Sequence, residues 1–324
     1  MRVLVTGGAG YVGGFAARHL VATGHDVTVL DDLCNGHRAA LPAELLVEGD
    51  IGDRDTVAKL LRERRIEAVM HFAAHAMVRE SIEDPRIYYR NNVAKSLALL
   101  EAMLEQGVRR IVFSSTCAVY AESPDAPLDE DGPLDPVSPY AFSKLAIERM
   151  IRDFAGAYGL EYALLRYFNA AGGSEDGAHG EDHRPETHLI PLALGAAAGR
   201  RPPLQVFGAD HPTPDGTCIR DYVHVEDLAR VHAAVLERPG SCLFNVGTGR
   251  GHSVLEVLRA VERVAGRAVP HRIGPRRAGD PARLVASCHR LEKQLGWTPH
   301  YADLNAIVAS AWAWHQRNPD GYGS

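Results

Sequence analysis

Short apolar runs recur along the first half of the chain, and longer stretches with apolar residues at helical spacing lie between most of them. Val3-Leu4-Val5, Val27-Thr28-Val29-Leu30, Leu45-Leu46-Val47, Ala68-Val69-Met70, Arg110-Ile111-Val112-Phe113 and Tyr162-Ala163-Leu164-Leu165 read as strands buried on both faces. Helical patterns span 11–23, 54–64, 86–106 and 140–158. A strand buried on both faces needs helices above and below it, and this alternation supplies them. It predicts an α/β fold, a Rossmann-type doubly wound parallel sheet with right-handed crossovers. Gly24-His25-Asp26 and Gly107-Val108-Arg109 serve as helix stops.

Past residue 168 the rhythm weakens. Segment 172–187 is polar and turn-rich, which suits a loop over a site. Helical patterns follow at 188–199, 225–237, 253–265 and 302–316, with short strands near 204–207 and 242–246. The expected organisation is a sheet domain over 1–168 and a smaller C-terminal α/β substrate domain over 169–324, with the chain free to cross between them.

Composition narrows the partners. The 324 residues carry a net charge of −6, which argues against nucleic acid or an anionic membrane. No run reaches the length of a membrane span, and the first strand begins directly after Met1, so neither a span nor a cleavable leader is expected. The five cysteines include no C-x-x-C pair, which suggests a reducing, cytoplasmic setting. Among the 16 histidines, His179 and His183 with Glu181 and His188, or His71 with His75, can be drawn as ligands. They lack a fixed helical or knuckle frame, so no metal is expected.

The candidate chemistry starts at Gly7-Gly8-Ala9-Gly10-Tyr11-Val12-Gly13, directly after the first strand. Gly7 permits a tight turn, Gly10 lets backbone approach a pyrophosphate, and Gly13 lets the next helix pack on the strand. That helix would aim its first amides at phosphate. The second strand ends in Asp31-Asp32, where a carboxylate accepts hydrogen bonds from ribose hydroxyls and repels a 2′-phosphate. No Arg follows before Arg38, which favours NAD over NADP; Asp50-Ile51 would lie beside the adenine. The same residues also suit an ordinary turn and a capped loop.

Further on, Tyr140 and Lys144 stand one helical turn apart behind Ser138-Pro139. A tyrosine that acts as a base near pH 7 must have its phenolate stabilised by roughly 4 kcal/mol, which a neighbouring ammonium can help supply. By itself the spacing also fits a solvated helix face.

Taken together, the glycine turn, Asp31, Phe72-Ala73-Ala74, Asn91-Asn92, Ser114-Ser115-Thr116 and the Tyr140/Lys144 pair resemble the extended short-chain dehydrogenase/reductases. Leu165-Arg166-Tyr167-Phe168-Asn169, the run from Gly216 to Val225, Asn245-Val246-Gly247-Thr248-Gly249 and Arg276-Arg277-Ala278-Gly279-Asp280 are similar to the UDP-glucose 4-epimerase family within them. The resemblance covers nearly the whole chain in the same order. It implies NAD contacts from Tyr11, Val12, Asn35, Phe72, Ala73, Ala74, Asn91, Tyr167 and Phe168, besides the residues already named. It implies that Tyr140 exchanges a proton with the sugar 4-hydroxyl, that Lys144 holds the nicotinamide ribose and lowers the phenol's pKa, and that Thr116 relays the proton. A UDP-sugar would be bound by Thr116, Asn169, His188, Leu189, Gln205, Val206, Phe207, Arg220, Arg277 and Asp280. The 4-keto sugar would rotate about its link to UDP before hydride returns.

The resemblance also implies a homodimer through the helices at 86–106 and 140–158. Departures from the family pattern are Ala76 in place of a cofactor-contacting Lys, Ala121 in place of Gly, and His188 in place of Asn. Leu284 stands where a bulky Tyr narrows the sugar pocket, which leaves room for an N-acetyl group. Related dehydratases carry Asp-Glu after the Thr, whereas Cys117-Ala118 follows Thr116. Epimerisation of a UDP-N-acetylhexosamine, UDP-pentose or UDP-uronate is the alternative. A non-catalytic NAD-binding module would predict a damaged Thr/Tyr/Lys set, and that set is intact.

Overall fold

The computed structural model describes residues 1–123, 127–277 and 280–323. The first half runs β1 (Arg2–Thr6), α1 (Tyr11–Ala22), β2 (Asp26–Asp31), β3 (Leu46–Glu48), α2 (Arg54–Glu63), β4 (Ala68–His71), α3 (Val78–Glu83), α4 (Pro85–Tyr88), α5 (Lys95–Glu105), β5 (Arg110–Thr116), α6 (Pro139–Tyr158) and β6 (Glu161–Tyr167). Then come β7 (Asn169–Ala171), α7 (Leu189–Ala197), β8 (Leu204–Phe207), β9 (Ile219–His224), α8 (Val225–Glu237), β10 (Cys242–Val246), β11 (Gly251–Ser253), α9 (Val254–Ala265), β12 (His271–Gly274), β13 (Arg283–Leu284), α10 (His289–Leu295) and α11 (Leu304–Arg317).

Seven strands form one sheet in the order β10-β6-β5-β4-β1-β2-β3. From β3 to β5 every neighbour is parallel. The chain leaves β1 toward β2 on one side and reaches β4 on the other, so the strand order reverses between β1 and β4. Ligands of such sheets bind beyond the carboxyl ends of the strands at that reversal. Val3, Leu4, Val5, Val69 and Met70 are fully buried, as strands covered on both faces require.

Two compact units divide the chain. The first comprises 1–121, 133–166 and 228–244; the second comprises 122–132, 167–227 and 245–324. Leu4, Val69, Leu99, Ile111, Ile147 and Leu164 belong to one continuous core of the first unit. In the second, α7, α9 and α11 pack together around Leu194, Val257, Val261, Ile307 and Val308.

Local chemistry explains most element ends. Ser138 caps α6 by accepting from the Ala141 amide (3.2 Å), Pro139 fills its first turn, and Gly159 at φ 71° ends it. Ser253 and Glu256 form a reciprocal capping box on α9.

Three expectations are corrected. The helix expected over 86–106 is broken into α4, a π-helical stretch (Tyr89–Ala94) and α5. Inside the stretch, Asn92 turns its amide onto the His75 backbone, accepting from N (2.9 Å) and donating to O (3.0 Å). The strand over 242–246, expected in the smaller domain, lies at the edge of the large sheet beside β6. β9 was not expected, because Arg220, Asp221 and His224 mask its apolar positions. All its residues except Arg220 are nevertheless buried.

Candidate active site

In the first unit, the turn from β1 to α1 is built on two glycines. Gly7 has φ +72°, and a Cβ there would lie 2.5 Å from the Ala73 nitrogen at the end of β4. A Cβ on Gly13 would lie 2.3 Å from the Gly7 carbonyl oxygen, so helix and turn approach to a distance that no side chain allows. At Gly10 the added atom would meet the protein only at 3.4 Å. Internal crowding therefore does not require glycine there, whereas close approach of a ligand to the backbone would. These observations fit a pyrophosphate at this turn, with Tyr11 and Val12 opening α1.

Asp31 ends β2 and is buried. It accepts from the amides of Ala9 (2.9 Å) and Leu33 (2.9 Å), which ties it to the glycine turn. Burial pushes its carboxyl up from the ordinary value, while those two amides oppose the shift. Asp32 is exposed and accepts from the Cys34 amide, and Asn35 follows in the same loop. Asp50 pairs with Lys95 (2.7 Å), and Ile51 is buried in the core. Phe72 packs on the His232 ring at 4.7 Å, Ala73 donates its amide to the Thr6 carbonyl, and Ala74 continues that loop. Asn91 lies in the π-helical stretch and donates to Asn92 (3.2 Å).

Thr116 ends β5, and its hydroxyl accepts from the Ala118 amide (3.2 Å). α6 packs against β5 and carries Tyr140 and Lys144 one turn apart. The Lys144 ammonium is buried, donates to the Ser114 carbonyl (2.8 Å) and lies 5.0 Å from the Phe113 ring centre. Burial lowers its pKa to about 7. Its fixed position on the Ser114 carbonyl is its firmest contribution. The Tyr140 ring meets Tyr88 edge-on at 6.4 Å.

Beneath these residues lies a polar network that sequence reading missed. Glu148 is the next step in the spacing 140, 144, 148 and is fully buried. It accepts from Ser115 (2.6 Å), from Arg166 through two nitrogens (2.8 and 2.6 Å) and from Arg152 (3.2 Å). The Arg166 guanidinium also lies 4.9 Å from the Tyr120 ring centre. Strand β5 is thus tied to α6 at the residue before Thr116. A second bridge runs from Thr6 through His71 (2.7 Å) to Ser96 (2.8 Å). Burial, with the Lys144 charge, lowers the His71 pKa to about 3, so the imidazole is neutral and its two hydrogen bonds persist at physiological pH. The continued i, i+4 series on α6 was the available signal for Glu148.

The second unit holds the other expected residues. Tyr167 ends β6, and Phe168 is buried with its amide on the Val246 carbonyl (3.1 Å). Asn169 opens β7 in parallel register with Tyr222 of β9. Gln205, Val206 and Phe207 lie on β8, which among the described residues pairs only with β12, so alternate backbone groups point away from that partner. Arg220 of β9 forms an ion pair with Asp280, and Arg277 stacks on Phe207 at 3.8 Å. Leu284 of β13 stands opposite Arg220 in the strand register. Asp221, missed from sequence, is buried and accepts from Thr248 through both its amide and its hydroxyl, from Gly249 and from Ala286. It fixes β9 between Arg220 and Tyr222. His188 and Leu189 start α7. Of the ligand set drawn from sequence, the structure gathers Glu181, His183 and His188, with Glu186 in place of His179.

No helix among the described residues is long and apolar enough to cross a membrane. Residues 3–247 match the NAD dependent epimerase/dehydratase family. The UDP-glucose 4-epimerase of Streptomyces lividans is 49% identical over 326 residues, 99% of this chain and 98% of that protein. A crystal structure of UDP-glucose 4-epimerase from Brucella ovis in complex with NAD superposes with a TM-score of 0.93 at 45% identity, covering 96% of this chain and 97% of that one. The enzyme from Bifidobacterium longum, solved in complex with NAD+ and UDP, gives 0.93 at 37% identity, with 99% and 100% covered. A glycine turn at the strand reversal, an acidic end to β2 and a Tyr/Lys pair on α6 thus accompany similarity along the whole chain, which belongs to the NAD dependent epimerase/dehydratase family.

Proposed function

We propose that the protein interconverts UDP-glucose and UDP-galactose by NAD-dependent epimerisation at C4. The observation that carries this reading is the intact Thr116, Tyr140 and Lys144 set, held in the same unit as the glycine turn and Asp31. Bound NAD supplies the reversible acceptor for the C4 hydride. Tyr140 takes the proton of the 4-hydroxyl and later returns it, and Thr116 hydrogen-bonds the reacting oxygen. Lys144 binds the nicotinamide ribose. Its place on the Ser114 carbonyl supports a positioning role for the ammonium. Asp31 accepts from the adenosine ribose, and the amides after Gly7 and Gly10 receive the pyrophosphate.

Arg220 and Arg277 hold the UDP diphosphate, Asp280 takes the uridine ribose, and β8 offers backbone groups to the uracil. Binding energy placed on the nucleotide leaves the ketose free to turn over, as inversion at C4 requires. Leu284 supports acceptance of N-acetylated sugars as a second activity, since the resemblance implies a tyrosine at this position in narrow-pocket members.

Two further readings concern assembly and location. A homodimer is supported by exposed apolar residues on one group of helices: Ile82, Tyr89, Leu97 and Phe142. A cytoplasmic setting is supported by five free thiols.

The direct experiment is the interconversion of the two UDP-sugars by purified protein, without and with added NAD. Turnover without added NAD means the cofactor is retained through the cycle. No turnover while UDP and NAD both bind transfers the proposal to another UDP-sugar. Failure to bind either ends it.

A further inference from the structure

Glu181, His183 and Glu186 lie in the second unit within the turn-rich segment 172–187, and His188 is the N-cap of α7. One donor atom from each lies within 4.8 Å of the other three. Nδ1 of both imidazoles faces Glu181 Oε1: the His183 distance is 3.1 Å, and His188 is closer still. Nδ1 of His183 lies 3.7 Å from Glu186 Oε2, and Nδ1 of His188 lies 3.8 Å from Glu186 Oε1. Four donors at about 2.05 Å from a zinc ion in a tetrahedron stand about 3.3 Å apart. The observed separations bracket that value.

Without a metal the two imidazoles pair with both carboxylates, so a bound cation would take the place of the protons they share. The side chains of Glu181 and Glu186 are only 6% and 4% exposed, and two buried carboxylates need compensating charge. Among the described residues neither forms an ion pair with lysine or arginine; their side-chain partners are the two histidines. Arg200 and Arg201 line the same cleft and oppose a cation, so the four donors, not the general field, must hold it. Glu186 Oε1 also accepts from the amides of Thr187 (2.7 Å) and His188 (2.8 Å), which fixes that carboxylate as a ligand requires. The Glu181 carbonyl receives Trp314 Nε1 (3.1 Å) from α11.

We propose that Glu181, His183, Glu186 and His188 form a structural site for a borderline divalent cation, zinc in the first place, which ties the 172–187 segment to the start of α7. Imidazole with carboxylate selects zinc over magnesium or calcium, which prefer all-oxygen shells. Four protein donors leave no open position, as in structural and not catalytic zinc sites.

The test uses full-length protein without a polyhistidine tag, dialysed against chelator and titrated calorimetrically with Zn2+ and with Mg2+. The expected result is one Zn2+ per chain, no Mg2+ heat, and binding weakened by about 100-fold in His183→Ala. Because the chain has 16 histidines, equal affinity in wild type and His183→Ala assigns the ion elsewhere and overturns the proposal. Co2+-loaded wild type provides a readout independent of the variant's folding. Strong visible absorption from a tetrahedral centre supports the site, whereas the weak spectrum of an octahedral ion overturns it. Neither result depends on the sugar that the enzyme turns over.

Discussion

The two units hold their expected functional residues by different means. In the first, Tyr140, Lys144 and Glu148 follow one another at single-turn spacing on a capped helix, and the last two are locked into buried bonds with β5 and β6. In the second, the expected UDP ligands come from β7, β8, β9 and the segments around 188 and 280, and their charged groups are satisfied by one another or by a ring. Groups that exchange a proton must be fixed to a fraction of an ångström. Groups that hold a nucleotide while its sugar turns need strength at the phosphate and little elsewhere. In the proposed function the chemistry would thus rest on one rigid helix and the grip on several elements.

The sharpest way to break this contrast is Tyr140→Phe. It should lower kcat by about 10²- to 10⁴-fold and leave UDP affinity unchanged. Steady-state kinetics with calorimetric UDP titration checks both, and an equal loss of UDP binding would erase the division of labour. Next in size is Glu148→Gln, which leaves Arg166 buried beside an uncharged partner. Urea unfolding should show a loss of about 3–5 kcal/mol. A variant as stable as wild type would mean that the network is not what holds β5 to α6.

Lys144 gives the pH test. Its folded pKa of about 7 lies below the ordinary lysine value of 10.5, so between those limits the unfolded chain binds the extra proton. Stability of the nucleotide-free protein should therefore rise with pH, by up to about 1.4 kcal/mol per pH unit between 7 and 10 from this residue. Below pH 7 both states carry the proton and the contribution levels off. Lys144→Met should flatten that rise; an unchanged slope would place the ammonium in water.

On the side of the second unit, Arg277→Ala should raise KM for the UDP-sugar by about 10- to 100-fold with little change in NAD affinity. The smallest effect belongs to Leu284→Tyr. It should lower kcat/KM for UDP-N-acetylgalactosamine by about 10-fold and spare UDP-galactose. Equal losses for both sugars would remove Leu284 from the selection of substrate.

Legibility followed locality. The glycine turn, Asp31 and the Tyr140/Lys144 pair were readable because each is a short-range pattern whose spacing fixes its geometry. The central strands β1, β4 and β5 were readable because double burial forces uninterrupted apolar runs, whereas β3, also expected to be buried on both faces, is a half-exposed edge strand. β9 was hidden because its buried polar residues find partners far along the chain, as Asp221 does with Thr248 and Ala286. The break at 89–94 was hidden because its cause, the His75 backbone, lies 17 residues from Asn92.

The sequence by itself determined the α/β alternation, the dinucleotide turn and the family, since periodicity, glycine placement and motif order are properties of the linear chain. Only the tertiary structure decided that β10 completes the large sheet, that Glu148 and Arg166 brace α6, and that Glu186 joins Glu181, His183 and His188. Each of these is a choice of partner. Partners distant in sequence, or joined by a turn-rich loop, are selected by packing and by the cost of leaving a buried charge alone.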